Sequence, residues 1–137
     1  MCIRDSNIII FPICFLTLVG LSNAVNLTDG LDGLASGCSS IVFFGLGTEI
    51  FIKSQNELII YGLISYAMSG LCIGFLRYNK YPAKIFMGDT GSLTIGATLG
   101  SISILTNSFF TLFIISGIFV IEAVSYTHLT LPTNREV

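Results

Sequence analysis

Two short stretches of this chain concentrate the side chains able to do chemistry. Residues 23–37 read NAVNLTDGLDGLASG, and residues 78–92 read YNKYPAKIFMGDTGS. In the first, Asn23, Asn26, Asp29 and Asp32 recur at every third position, so each neighbouring pair shares roughly one side of a helical turn. Gly30, Gly33 and Gly37 let backbone approach closely or leave the helix. In the second, Pro82 and Gly88 break regular structure beside Asp89, Gly91 and Ser92. A single aspartate held between glycines suits a hard cation, because Mg²⁺ takes one or two protein carboxylates and fills its octahedron with water and phosphate oxygens. Residues 91–93 are expected to open the next helix, whose free amide N–H groups and positive dipole end can hold phosphate. No G-K-[ST] follows the glycines, so this is not a Walker loop. Either stretch alone also reads as a capped turn between helices; two acidic, glycine-rich stretches on one face argue for a site.

The surrounding chain makes those carboxylates unusual. Of 137 residues, 53% are hydrophobic and only 10% charged, against about 25% charged in ordinary soluble domains. The mean hydropathy is +0.85, the signature of a membrane protein. A charge at the centre of a membrane helix costs about 2.5 to 3.5 kcal/mol on insertion scales, less toward the interface, so acidic residues near a bilayer usually face a watery cavity, a metal or a substrate. The formal charge of -2, with no basic run, sets nucleic acid aside as a partner. Cys2, Cys14, Cys38 and Cys72 form no C-x-x-C pair and stand at no metal spacing to a His; they read as reduced thiols in apolar surroundings.

Positioning these stretches requires helices. Hydropathy gives about five membrane segments, 7–24, 35–52, 58–77, 92–106 and 109–125, and hence an all-α polytopic bundle. The apolar run 8–21 follows Arg4 as a secretory signal would, yet no small-x-small cleavage site comes after it, so it reads as a spanning helix. If every segment crosses, connections 23–34 and 78–91 share one side, and 53–57 and 106–108 the other. Arg77, Lys80 and Lys84 flank the first pair and only Lys53 the second, which places Asp29, Asp32 and Asp89 together on the cytoplasmic face. Gly96 and Gly100 stand at the G-x-x-x-G spacing, here expected to serve intramolecular packing. The many phenylalanines read as lipid-facing or packing bulk. Glu122, deep in an apolar run, must face the bundle interior or end near the interface. Residues 1–6 and 126–137 turn abruptly polar and read as non-native ends flanking a membrane unit at 7–125, so His128 carries no functional weight.

The two stretches, together with GIFVIEAVS at 117–125, resemble the polyprenyl-phosphate N-acetylhexosamine-1-phosphate transferases. The likeness runs from about Leu16 to Ser125. Thr28 in NLTDG and the 121–123 triplet IEA lean toward the phospho-N-acetylmuramoyl-pentapeptide transferases, since relatives loading N-acetylglucosamine phosphate more often carry NLIDG. The resemblance implies transfer of phospho-MurNAc-pentapeptide from UDP-MurNAc-pentapeptide to undecaprenyl phosphate, giving UMP and lipid I for peptidoglycan synthesis at the bacterial inner membrane. It implies Mg²⁺ as cofactor, with Asp89 as metal ligand. Asn26 and Asp29 would line the phosphate and metal region beside Asp89. Asp32, Asn79 and Phe86 would form the uridine pocket, with Asn23 also on the substrate side. It also implies a roughly ten-helix bundle in lipid and leaves room for a homodimer. The family carries an Asp-Asp motif upstream and a His-rich motif downstream. This chain has neither, so it reads as a fragment whose isolated form is expected to be inactive. A GlcNAc-1-phosphate transferase is the near alternative. A membrane transporter is the distant one, for it too uses broken helices and carboxylates, but near the midplane and commonly with inverted repeats.

Overall fold

The computed structural model describes residues 2–53 and 58–108, together with Gly117, Phe119, Ile121, Val124 and Ser125, and side chains from Ile10 onward. Lipid offers backbone no hydrogen-bond partner, so apolar segments of this length satisfy their peptide groups internally as helices. Among the described residues four helices result: α1 (Cys2–Thr28), α2 (Leu34–Lys53), α3 (Ile59–Asn79) and α4 (Gly88–Leu105). Among the same residues three spans, Ile10–Thr28, Leu34–Lys53 and Ile59–Asn79, are long and apolar enough to cross a membrane. The expected fourth is a shorter, small-residue helix of 18 residues with Asp89 in its first turn. Of the fifth expected segment, the described residues are helical and Phe119 is fully buried in the core. Glu122, His128 and both polar ends lie outside the described residues or side chains.

The helices pack as two pairs, α1 on α4 and α2 on α3, with thin contact between pairs. Small residues set both distances, as in membrane bundles generally, because they let backbones approach. A Cβ added at Gly96 would stand 2.5 Å from the Ser22 Cα and 2.6 Å from the Leu21 carbonyl oxygen, and one at Gly100 would meet Leu18. The G-x-x-x-G pair therefore packs α4 on α1 within one chain. In the other pair, Gly62 lies against Phe51 and Gly47 against Tyr66. The Thr48 and Tyr66 hydroxyls are 3.1 Å apart, and the Ser69 hydroxyl donates to the Ser40 carbonyl at 2.8 Å. Val25, Phe43, Leu46, Leu99 and Phe119 fill the core between the pairs. Cys14, Cys38 and Cys72 form no disulfide.

The connections alternate as expected. At one end Lys53 pairs with Glu49 and its Nζ donates to the Ser108 hydroxyl at 3.4 Å, which brings the ends of α2 and α4 together. At the other end the loops 29–33 and 80–87 meet.

Candidate functional site

The first stretch does not stay on one helical face. α1 ends at Thr28, and the Asp29 N–H closes the last turn on the Val25 and Asn26 carbonyls, each at 3.2 Å. Asn23 and Asn26 therefore ride on the helix, while Asp29 and Asp32 sit in the turn after it. Gly33, at φ +79°, redirects the chain into α2, and its backbone lies so close to the end of α3 that a Cβ there would be 3.3 Å from the Lys80 Cα. That conformation and that approach both call for glycine.

The second stretch leaves α3 at Asn79, passes a cis Tyr81–Pro82 bond and re-enters helix at Gly88, at φ +67°. Here the structure corrects the expected helix start. Because Gly88 makes the turn itself, α4 begins there, a turn before Ser92. Ser92 and Leu93 fall beyond the first turn, and the N–H groups free to bind an anion belong to the residues from Gly88 to Gly91. Of these, the Gly88 N–H acts on the Asp29 carboxylate and favours its ionised form.

Hydrogen bonds weld the two stretches into one face. The Ser92 hydroxyl, fully buried, donates to Asn26 Oδ1 at 2.8 Å, tying α4 to α1. The Ala83 N–H donates to Asp32 Oδ2 at 3.0 Å. Asn79 Oδ1 accepts from the Gly33 N–H at 3.1 Å and from the Ser36 hydroxyl at 3.0 Å. Asp29 and Asp89 end close enough to feel each other's charge. The Asp29 pKa is raised above the usual carboxylate value, chiefly by burial and further by Asp89, while the Gly88 N–H pulls it back down.

The expected site residues thus sort by position. Asn26, Asp29 and Asp89 share one corner, Asp32 and Asn79 the adjoining joint between loops. Phe86 is 75% exposed, its ring open to a partner. Asn23 is exposed and its Nδ2 donates back to the Val19 carbonyl of its own helix at 2.8 Å, away from the joint. Thr28 is buried and bonded to the Ala24 carbonyl, so it shapes the end of α1 from inside. Sequence reasoning missed Ser36 and the side-chain bond of Ser92; a serine three residues after a turn glycine is too common a pattern to have flagged the first. Beside the acidic corner, between α3 and α4, lies an apolar cleft of about 420 Å³ lined by Met68, Leu71, Cys72, Phe75 and Met87 and reaching Thr90 and Gly91.

The chain is 90% identical over 121 residues to a phospho-N-acetylmuramoyl-pentapeptide-transferase of Prochlorococcus marinus subsp. pastoris, a match covering 88% of this chain and 34% of the relative. It is 71% identical to the protein of that name from Prochlorococcus marinus strain MIT 9215, over 88% of this chain and 34% of the other. With the one from strain MIT 9313 it shares 44% identity, over 85% and 31% respectively. The chain spans about a third of the length of these curated relatives. A family model described as glycosyl transferase family 4 matches residues 2–107, which includes all four helices and both acidic stretches, and the chain belongs to that family.

Proposed function

We propose that this segment supplies one side of the active site of an enzyme that moves phospho-MurNAc-pentapeptide from its UDP carrier to undecaprenyl phosphate, releasing UMP and forming lipid I. One observation carries the reading: two acidic stretches far apart in sequence are bonded into a single face at the end of membrane-crossing helices. A water-soluble nucleotide and a membrane-bound phosphate can meet only at such an edge. The names of the relatives support MurNAc-pentapeptide as the sugar and peptide carried.

The residues present fit a Mg²⁺ ion. Among the described residues no three His, Cys, Asp or Glu side chains cluster into a closed metal cage, but Mg²⁺ does not require one. It accepts one or two carboxylates and keeps the remaining positions for water and substrate phosphate. Asp89, exposed at the start of α4, and Asp29, whose ionised form is held at a cost beside it, are such a pair. When bound, the ion supplies positive charge to the diphosphate and to the departing UMP. The chain's own part is orientation and charge: Ser92 fixes Asn26, the Gly88 N–H favours the ionised form of Asp29, and Asp32 holds the loop that presents Phe86 for stacking on a base. The apolar cleft has the lining a prenyl chain needs and reaches Thr90, the residue that follows Asp89.

The test is donor choice in the full-length protein that carries this segment. Supplied with undecaprenyl phosphate and either UDP-sugar, it should release UMP from UDP-MurNAc-pentapeptide. Turnover of UDP-GlcNAc alone would move the assignment to the GlcNAc-phosphate transferases.

A further inference from the structure

Asn79, the last residue of α3, is only 2% exposed, and both ends of its carboxamide are engaged inside the chain. Oδ1 takes the Gly33 N–H and the Ser36 hydroxyl, at 3.1 and 3.0 Å, and Nδ2 donates to the Ile85 carbonyl at 3.0 Å. One side chain thus holds the turn before α2, the first turn of α2 and the loop leading to α4. We propose that Asn79 is a positioning residue: its carboxamide sets the spacing between loops 29–33 and 80–87, and so between Asp29 and Asp89, on which the transfer proposed above depends. Placed so, it shapes a base pocket from behind and does not touch the base.

The chemistry explains why an amide stands there. Two donors arrive at one end of the group and a carbonyl at the other, so it must accept and donate at once. Aspartate has the same shape but would set a second oxygen against the Ile85 carbonyl and add negative charge near Asp32. Alanine would leave the Gly33 N–H and the Ile85 carbonyl without this partner, while the Ser36 hydroxyl would keep the Gly33 carbonyl at 3.2 Å. The Asp32 to Ala83 bond is a second, weaker tie across the same joint, since its acceptor is partly solvated.

The tie forms without substrate, so it can be read in the ligand-free, full-length protein whatever reaction that protein performs. Hydrogen exchange in the wild type should find the Gly33 and Ala83 amides protected although both lie outside the helices. Spin labels on the exposed positions Leu31 and Lys84, on a cysteine-free background, should give a narrow distance distribution that broadens in Asn79→Asp and Asn79→Ala. Ser36→Ala, which removes one donor and leaves the other two bonds, should broaden it less. In turnover, Asn79→Asp should lower kcat at saturating donor by roughly 10- to 100-fold while the donor KM changes less than about threefold. Gly33 and Ala83 amides exchanging as fast as open loop would overturn the proposal, and that measurement needs no variant to fold. So would an unchanged distance distribution in Asn79→Asp with only the donor KM raised, the mark of a side chain that contacts substrate.

Discussion

Asp29 is partly buried and has the Asp89 charge nearby, and both make its ionised form harder to hold. Its folded-state pKa lies above its unfolded one, so the ligand-free protein loses stability as pH rises through that interval. Asp29→Asn should remove this slope and raise the melting temperature at neutral pH in Mg²⁺-free buffer, yet gain less than wild type when Mg²⁺ is added. Thermal scans across pH with and without the ion check both halves; a variant that Mg²⁺ stabilises as much as wild type would take Asp29 out of the ion's surroundings. Asp89→Asn keeps shape and one carbonyl oxygen but loses the charge, and should cost about 10² to 10³ in rate. Asp32→Asn should instead raise the donor KM more than it lowers kcat, with no rescue by Mg²⁺. Steady-state kinetics over a Mg²⁺ series separate the two, and near-normal turnover in Asp89→Asn would remove it as a ligand. The acidic residues were legible in the sequence because charge in apolar surroundings is rare. Asn79 was legible only as a polar residue in a suggestive motif, since nothing in a sequence says whether an amide faces a ligand or its own backbone.

At the scale of the helices, existence was easy to read and partnership was not. Lipid-facing and core-facing positions are both apolar, so the pattern that exposes a soluble helix's inner face is missing. Phe43 is fully buried and its neighbour Phe44 is 59% exposed, two identical side chains with opposite surroundings. Only the small residues gave partnership away. Gly96 touches backbone of α1, so Gly96→Ala should force the α1 and α4 pair apart and cost about 1 to 3 kcal/mol as an overpacked contact. Gly70→Ala, on α3 with open space around it, should be close to neutral. Paired melting curves of the full-length variants in detergent decide it; equal stabilities would mean that the α1 and α4 contact yields without cost. The start of α4 escaped sequence reading for a related reason. Gly88 both breaks one element and begins the next, and a glycine's role as breaker or opener depends on the φ it adopts.

For the molecule as a whole, the acidic face and the basic residues Arg77, Lys80 and Lys84 share an end, which we propose on the positive-inside rule to be the cytoplasmic one. A cysteine at Lys80 should resist an impermeant reagent added to intact cells while one at Asn107 reacts; the reverse pattern would invert the topology. The pairing of helices also fixes an order of construction. α2 and α3 are neighbours in sequence, so they can join as a hairpin as soon as both leave the ribosome and enter the bilayer. Within this segment α1 gains its main companion later, because the glycines it packs against are made only after α3 is complete. Until then Asn26 lacks its Ser92 partner and Asp29 lacks the Gly88 N–H beside it. The acidic corner is therefore completed only once α4 has been made, and a ribosome paused before α4 would display the α2 and α3 hairpin without that corner.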